Sequence, residues 1–172
     1  MRQHVRQMTG GSRVRDDKTV WDIWLLVLGA ALGVGGLFLA VAPGAARSAF
    51  GLFAYGDPSA LDALGPETAH YLTLAHAVLA SVLVGWSIAL ITILTGPFLD
   101  RQLRAWVGVL VSVVFWYAID MGYSVHSDAW LNAAANTVLL VFFIIPLAAL
   151  FPRFRSRAEQ AHQADAHKVE ST

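Results

Sequence analysis

The chain has 172 residues, of which 56% are hydrophobic and only 14% are charged. Its mean hydropathy of +0.56 lies well to the apolar side of an average soluble domain. Twelve basic and twelve acidic side chains give a net charge of zero, so the chain lacks the basic excess typical of nucleic-acid binding. The absence of cysteine excludes disulfides, thiolate nucleophiles and cysteine-bound metals. The composition therefore indicates an integral membrane protein whose first partner is the lipid bilayer.

A basic tail precedes the first apolar segment. Residues 1–20 hold five Lys or Arg side chains and have no apolar helical face, which indicates a cytoplasmic tail. Residues 21–43 then supply about the 20 apolar residues needed to cross roughly 30 Å of hydrocarbon. The run exceeds the roughly 7–15 apolar residues of a signal peptide, so we expect a retained span. Its small residues recur at helix-packing spacing and predict a close neighbouring helix: Gly29, Gly33, Gly36 and Ala40.

The link over residues 44–67 is the longest of the three, and the second span is predicted over residues 69–95. Arg47 lies in the first half of this link near Phe50, Phe53 and Tyr55, a pattern that suits a short helix at the membrane interface. Within the second span, small residues recur at every fourth position and predict a nearly flat ridge: Ala77, Ser81, Gly85 and Ala89.

The third and fourth spans are predicted over residues 103–124 and 130–151, and together residues 21–151 form the transmembrane domain. The links before and after the third span are brief, which predicts antiparallel neighbours. The polar residues 152–172 are predicted to be a cytoplasmic tail, either disordered or a helical extension. The fold class is therefore an all-α membrane protein, an up-down bundle of four transmembrane helices.

The distribution of basic residues predicts the orientation of this bundle. Five basic residues lie before the first span, Arg101 and Arg104 lie between the second and third, and Arg153 opens an arginine-rich tail. The other two links contain only Arg47. Because basic residues concentrate on the cytoplasmic side, both termini are predicted to be cytoplasmic. We expect a multi-pass protein of the inner (plasma) membrane.

The candidate site rests on two ionisable residues deep in the predicted spans, His76 and Asp120. Ionisable groups in hydrocarbon are costly and are functional candidates by default. At 1.5 Å per residue, these two and Asn136 are predicted to lie about 8–10 Å below the outer surface. Residues at helical spacing on the same faces complete a predicted outward-facing, ligand-binding pocket of seven residues: Thr73, His76, Tyr117, Asp120, Ser124, Asn132 and Asn136.

The sequence leaves several functions open for this pocket. The first is binding of an apolar or lipid-like ligand, or of a partner membrane subunit. The second is proton-coupled transport or membrane catalysis, which would follow if His76 and Asp120 form a hydrogen bond. The third is a purely structural accessory role, in which the polar residues only join helices and the small-residue faces bind a second copy or another protein.

Motifs for phosphate binding, metalloprotease or serine-hydrolase chemistry do not occur, which favours a role other than catalysis. A haem with two axial histidines needs a second deep histidine besides His76, and none is present. No metal or other cofactor is expected.

The second half of the chain resembles small uncharacterised bacterial membrane proteins with four spans. The resemblance covers roughly residues 96–150, where GPF precedes a basic link and FWYAIDMGYSVHSDAW is followed by an asparagine-bearing span. In that pattern a tryptophan-rich third span ends in an aspartate and the fourth span closes on a proline. Asp120, Asn132, Asn136 and Pro146 occupy those positions here. The resemblance implies a bacterial membrane protein and carries no assigned activity.

Overall fold

The computed structural model describes residues 18–170, and over that range it contains five α-helices and no β-strand. The helices are α1 (Val20–Val41), α2 (Pro43–Tyr55), α3 (Pro66–Thr95), α4 (Leu103–His126) and α5 (Trp130–Glu170). All except α2 are long and apolar enough to cross a membrane. The predicted fold class, all-α with four spanning helices, is confirmed. Most of the predicted basic tail, residues 1–17, and residues 171–172 lie outside the described residues.

The four long helices pack as two pairs. α1 packs along α3, α4 packs along α5, and a smaller contact between α1 and α5 joins the pairs. By contrast, α3 and α4 contact each other little, although the short link predicted close neighbours. The link explains this difference, because Phe98 and Leu99 are buried and the Phe98 ring contacts Phe154 of α5, so the link runs inward instead of forming a tight hairpin. At the C-terminal side, α5 continues as a helix to Glu170. Of the two predictions for the tail after residue 151, this favours a helical extension over a disordered segment.

The glycine face of α1 brings α3 into close contact. A Cβ atom on Gly33 would lie 2.6 Å from Ser87 Oγ, and one on Gly36 would lie 3.0 Å from the Ala80 carbonyl oxygen. Ser87 Oγ also donates a 2.7 Å hydrogen bond to the Gly29 carbonyl. The predicted packing role of these glycines is confirmed. The small-residue ridge of α3 instead faces outward, since all four of its members are exposed: Ala77, Ser81, Gly85 and Ala89.

The hydrophobic core is concentrated at one end of the bundle, which we call the Arg101 end. It contains the start of α1, the end of α3, the link over residues 96–102 and the start of α4. The fully buried side chains there come from every one of these segments and from α5: Leu25, Leu90, Leu94, Phe98, Val109, Val113, Phe143, Leu147, Leu150 and Phe154.

Two tryptophans donate hydrogen bonds to α5 near Pro146, one of the two prolines within this helix. Pro146 has no N–H, so the carbonyl of Phe142, four residues earlier, loses its helical partner. Trp24 Nε1 of α1 donates to that carbonyl at 3.2 Å, and Trp106 Nε1 of α4 donates to the Leu147 carbonyl at 2.9 Å. Trp24 thereby satisfies a backbone carbonyl that hydrocarbon would leave unpaired.

The opposite end, which we call the α2 end, is organised differently. α2 contacts α1, α3 and α5, so it lies across their ends in the position where the sequence predicted an interfacial helix. Its buried Gly51 approaches the following loop, where an added Cβ would lie 2.8 Å from the Asp57 carbonyl oxygen. Few side chains at this end are fully buried, and the candidate site residues lie in this half of the bundle.

Candidate functional site

Five of the seven predicted site residues meet on the seam between α4 and α5, and we call them the Asp120 cluster: Tyr117, Asp120, Ser124, Asn132 and Asn136. Asn136 Nδ2 donates to Asp120 Oδ2 at 2.6 Å, and Asn132 Nδ2 donates to Asp120 Oδ1 at 3.2 Å. The positions meet because residues three and four apart share one face of a helix and the turn between α4 and α5 is short.

Hydroxyl groups extend the cluster on both sides of the carboxylate. Ser124 Oγ donates to the Asp120 carbonyl at 2.8 Å and accepts from Asn132 Nδ2 at 2.8 Å. Toward the Arg101 end, the Tyr117 hydroxyl lies 3.2 Å from Thr137 Oγ1, which itself donates to the Ala133 carbonyl. Thr137 is a member that the sequence reasoning missed, although it follows Asn136 directly and faces α4.

The cluster is rich in hydrogen-bond acceptors. Asp120 is held by neutral amide and hydroxyl groups, and no Lys, Arg or His side chain among residues 18–170 bonds to it. The side-chain oxygens of Asn132 and Asn136 accept no hydrogen bond from the described residues. All three residues are half-buried rather than sealed in the core. A group that brings donors or positive charge would therefore be complementary to this cluster.

His76 lies in a different environment, between α3 and α2. Its ring stacks on Phe50 with centroids 4.4 Å apart and an interplanar angle of 17°. It is 6% exposed, and its Nδ1 has no hydrogen-bond partner among the described residues. Thr73, one turn earlier, donates its hydroxyl to the Ala69 carbonyl. The hydrogen bond between His76 and Asp120, on which the hypothesis of proton-coupled transport or membrane catalysis depended, is not formed.

The axial register of α3 and α4 explains why these residues do not meet. Trp86 of α3 and Trp116 of α4 contact each other, with ring centroids 6.3 Å apart, so they mark one level in the bundle. His76 lies ten residues from Trp86 toward the α2 end, whereas Asp120 lies only four residues from Trp116. At 1.5 Å per residue, His76 is about 9 Å closer to the α2 end. Thr73, one turn beyond His76, lies further still.

A surface groove of about 520 Å³ runs along α4 near its end. It is lined by five residues of that helix: Ala118, Ile119, Gly122, Tyr123 and His126. At 100° per residue, these positions centre on a face of α4 roughly opposite the one shared by Tyr117, Asp120 and Ser124. The groove is therefore not part of the Asp120 cluster.

A second buried carboxylate, Asp22 in the first turn of α1, was not among the site residues predicted from the sequence. Arg101 donates to it twice, from Nη1 to Oδ1 at 2.7 Å and from Nη2 to Oδ2 at 2.8 Å. Both residues are 2% exposed. Asp22 also completes a capping box with Thr19, whose N–H and hydroxyl donate to Oδ2. The available signal was the Thr-x-x-Asp pattern just before an apolar run.

No group of three or more His, Asp or Glu side chains with metal-binding geometry occurs within the described part of the chain. Comparisons of the chain with protein-family models, with curated proteins and with solved structures gave no match.

Proposed function

We propose that this membrane protein binds a lipid-like ligand whose polar head carries hydrogen-bond donors, and that the Asp120 cluster holds that head. The observation that carries the proposal is the Asp120 carboxylate, which lies on an apolar helix of membrane-spanning length, half-buried and without a cationic partner among the described residues. An uncompensated carboxylate in hydrocarbon is costly, and a ligand ammonium or hydroxyl group would offset that cost.

The asparagines define the chemistry of the ligand further. Asn132 and Asn136 use their amide N–H groups on Asp120 and present carbonyl oxygens as additional acceptors. A primary ammonium or a hydroxyl headgroup can donate to the carboxylate and to these oxygens together. A quaternary ammonium has positive charge but no N–H donor, so it should bind more weakly.

The proposed setting is the outer half of a bacterial inner membrane, with both termini cytoplasmic. The support is the concentration of Arg and Lys in the tails and in the link that contains Arg101. In that orientation the Asp120 cluster lies within reach of outer-leaflet lipids.

The experiment is native mass spectrometry of the full chain in dodecyl maltoside, titrated with lipids of identical acyl chains. The probes are phosphatidylethanolamine and phosphatidylcholine, which share the phosphate and differ only in the N-methyl groups of the head. We expect the ethanolamine lipid to bind more tightly than the choline lipid, and Asp120→Asn to weaken binding of the ethanolamine lipid relative to the choline lipid by about tenfold or more, because charge-assisted hydrogen bonds contribute about 1.5–3 kcal/mol.

Asp62→Asn is the matched control, since Asp62 is an exposed carboxylate in the link before α3. It should bind each lipid as the wild type does. Equal binding of the ethanolamine lipid by the Asp120 and Asp62 variants would contradict the proposal.

A structural accessory role is the second candidate, and the outward ridge of α3 favours it. Gly85 on that ridge has no atom within 4 Å of an added Cβ, so another helix could approach closely there. Cysteine substituted on the same ridge, at Ala77 and at Ala89, should then crosslink to a second copy or partner in membranes. Cysteine at Val34, on the exposed face of α1, is the control.

A further inference from the structure

Arg47 and His76 form a second polar group at the α2 end, separate from the Asp120 cluster. Phe50 of α2 stacks on His76, and Arg47 precedes Phe50 by three residues, so both lie on the side of α2 that faces α3. The Arg47 charge is close enough to act electrostatically on the imidazole. Two basic side chains thus lie close together at the α2 end.

Both side chains have polar atoms that the chain does not satisfy. Arg47 Nε and His76 Nδ1 are buried and have no hydrogen-bond partner among residues 18–170. Arg47 also forms no ion pair with the described residues. The carboxylates of the loops and helix starts at this end, Asp57, Asp62, Glu67 and Asp128, are exposed and form no ion pair with it. A buried donor without an acceptor is destabilising, so an acceptor from outside the chain would be favoured here.

We propose that Arg47 and His76 bind a phosphate group at the α2 end of the bundle. A guanidinium presents several N–H donors in a planar fork that matches phosphate oxygens, and an imidazole protonated at Nδ1 adds one more. The position of α2 supports a phosphate in particular. This helix lies across the ends of three helices and exposes Phe53 and Tyr55, as aromatic residues do at the level of lipid headgroups.

The phosphate belongs either to a phospholipid headgroup or to a free phosphate ion, and the test separates these sources. Native mass spectrometry of the full chain in dodecyl maltoside, a phosphate-free detergent, measures binding of dioleoyl phosphatidic acid and of dioleoylglycerol, which differ only in the phosphate. We expect phosphatidic acid to bind at least about tenfold more tightly. Competition by millimolar inorganic phosphate would identify free phosphate as sufficient, and its absence would identify the lipid as the source.

Variants assign this binding to the two side chains. Arg47→Gln should weaken binding of phosphatidic acid by about tenfold or more and leave binding of dioleoylglycerol unchanged. Arg104→Gln removes an exposed arginine of α4 and should change the binding of neither lipid. His76→Phe keeps an aromatic ring on Phe50 and should weaken phosphatidic acid by a few fold, with His70→Phe, an exposed residue, as its control.

The proposal fails if Arg47→Gln binds phosphatidic acid as Arg104→Gln does. It also fails if the wild type binds the two lipids equally, a result that requires no variant to fold. The outcome is independent of the proposed function, because Asp120→Asn should retain phosphatidic acid binding through Arg47.

Discussion

Asp22 and Asp120 both lie within apolar helices, yet the two carboxylates have opposite kinds of bonding partner at the two ends of the bundle. At the Arg101 end, Asp22 is fully buried, carries a bidentate bond from Arg101 and caps the first turn of α1. Toward the α2 end, Asp120 is half-buried and its hydrogen bonds from residues 18–170 come from neutral groups. Asp22 is thus paired with a cation, whereas no cationic side chain of the described residues pairs with Asp120.

A buried carboxylate that is ion-paired within the bundle serves stability, whereas one held by neutral groups is a candidate for ligand binding. The guanidinium of Arg101 also lies 5.6 Å from the Phe154 ring centroid, so the ion pair is enclosed by the same side chains that form the core. Around Asp120 the helices are joined by amides and hydroxyls that leave acceptors available. The first carboxylate therefore stabilises the fold, and the second is the one for which we propose ligand binding.

The largest expected effect is at the Arg101 end. Arg101→Ala should destabilise the fold by about 3–5 kcal/mol, because it leaves Asp22 charged, buried and unpaired. The measurement is an unfolding titration with dodecyl sulfate in mixed micelles. Arg155→Ala is the control, since its pair with Glu159 is exposed and contributes about 0.3–0.5 kcal/mol. Equal losses of stability in the two variants would show that the buried ion pair does not stabilise the fold.

The glycine face of α1 should give the next largest effect. Gly36→Ala places a Cβ at 3.0 Å from three atoms of α3 and should cost about 1–3 kcal/mol through overpacking. Gly35→Ala meets no atom within 4 Å and should leave stability unchanged or slightly higher. The same titration measures both variants. A Gly36 variant as stable as the Gly35 variant would show that α1 and α3 can separate freely.

A smaller effect is expected where α4 and α5 meet. Asn136→Leu removes its bond to Asp120 and, in the same titration, should cost about 0.6 kcal/mol and no more than about 1.7 kcal/mol, the average and the maximum for hydrogen bonds between membrane helices. If the loss instead matched that of Arg101→Ala, the Asp120 cluster would be a structural element and the contrast between the two ends would disappear.

Much of the fold was predictable because hydrocarbon requires every spanning backbone group to bond within its own helix. Apolar run length therefore identified four helices, and spacing alone identified the glycine face of α1. The Asp120 cluster was predictable for the same local reason, since Asp120 and Ser124, like Asn132 and Asn136, are four residues apart on helices joined by a short turn.

The remaining contacts depend on distant parts of the chain. Asp22 and Arg101 are 79 positions apart, and only the inward path of the link brings them together. The position of His76 depends on the axial register of α3 against α4 and on α2 folding back to place Phe50 on its ring. Hydrophobic patterning fixes neither of these, because sliding one apolar helix along another changes little apolar burial in lipid.

The smallest expected effect concerns a third carboxylate, the exposed Asp57 at the α2 end. The N–H of Ser59, and then its hydroxyl, donate to Asp57 and hold its pKa below the ordinary value of 3.8. Because the folded pKa is lowered, this stabilisation is present above about pH 3.8 and is lost as the pH falls through the folded pKa. Between pH 6 and pH 3, thermal unfolding should show a slightly larger loss of stability in the wild type than in Asp57→Asn, whose side-chain amide oxygen still accepts from Ser59. Asp62→Asn should follow the wild type, and an identical loss in the Asp57 and Asp62 variants would mean that the Ser59 bonds do not stabilise the loop before α3.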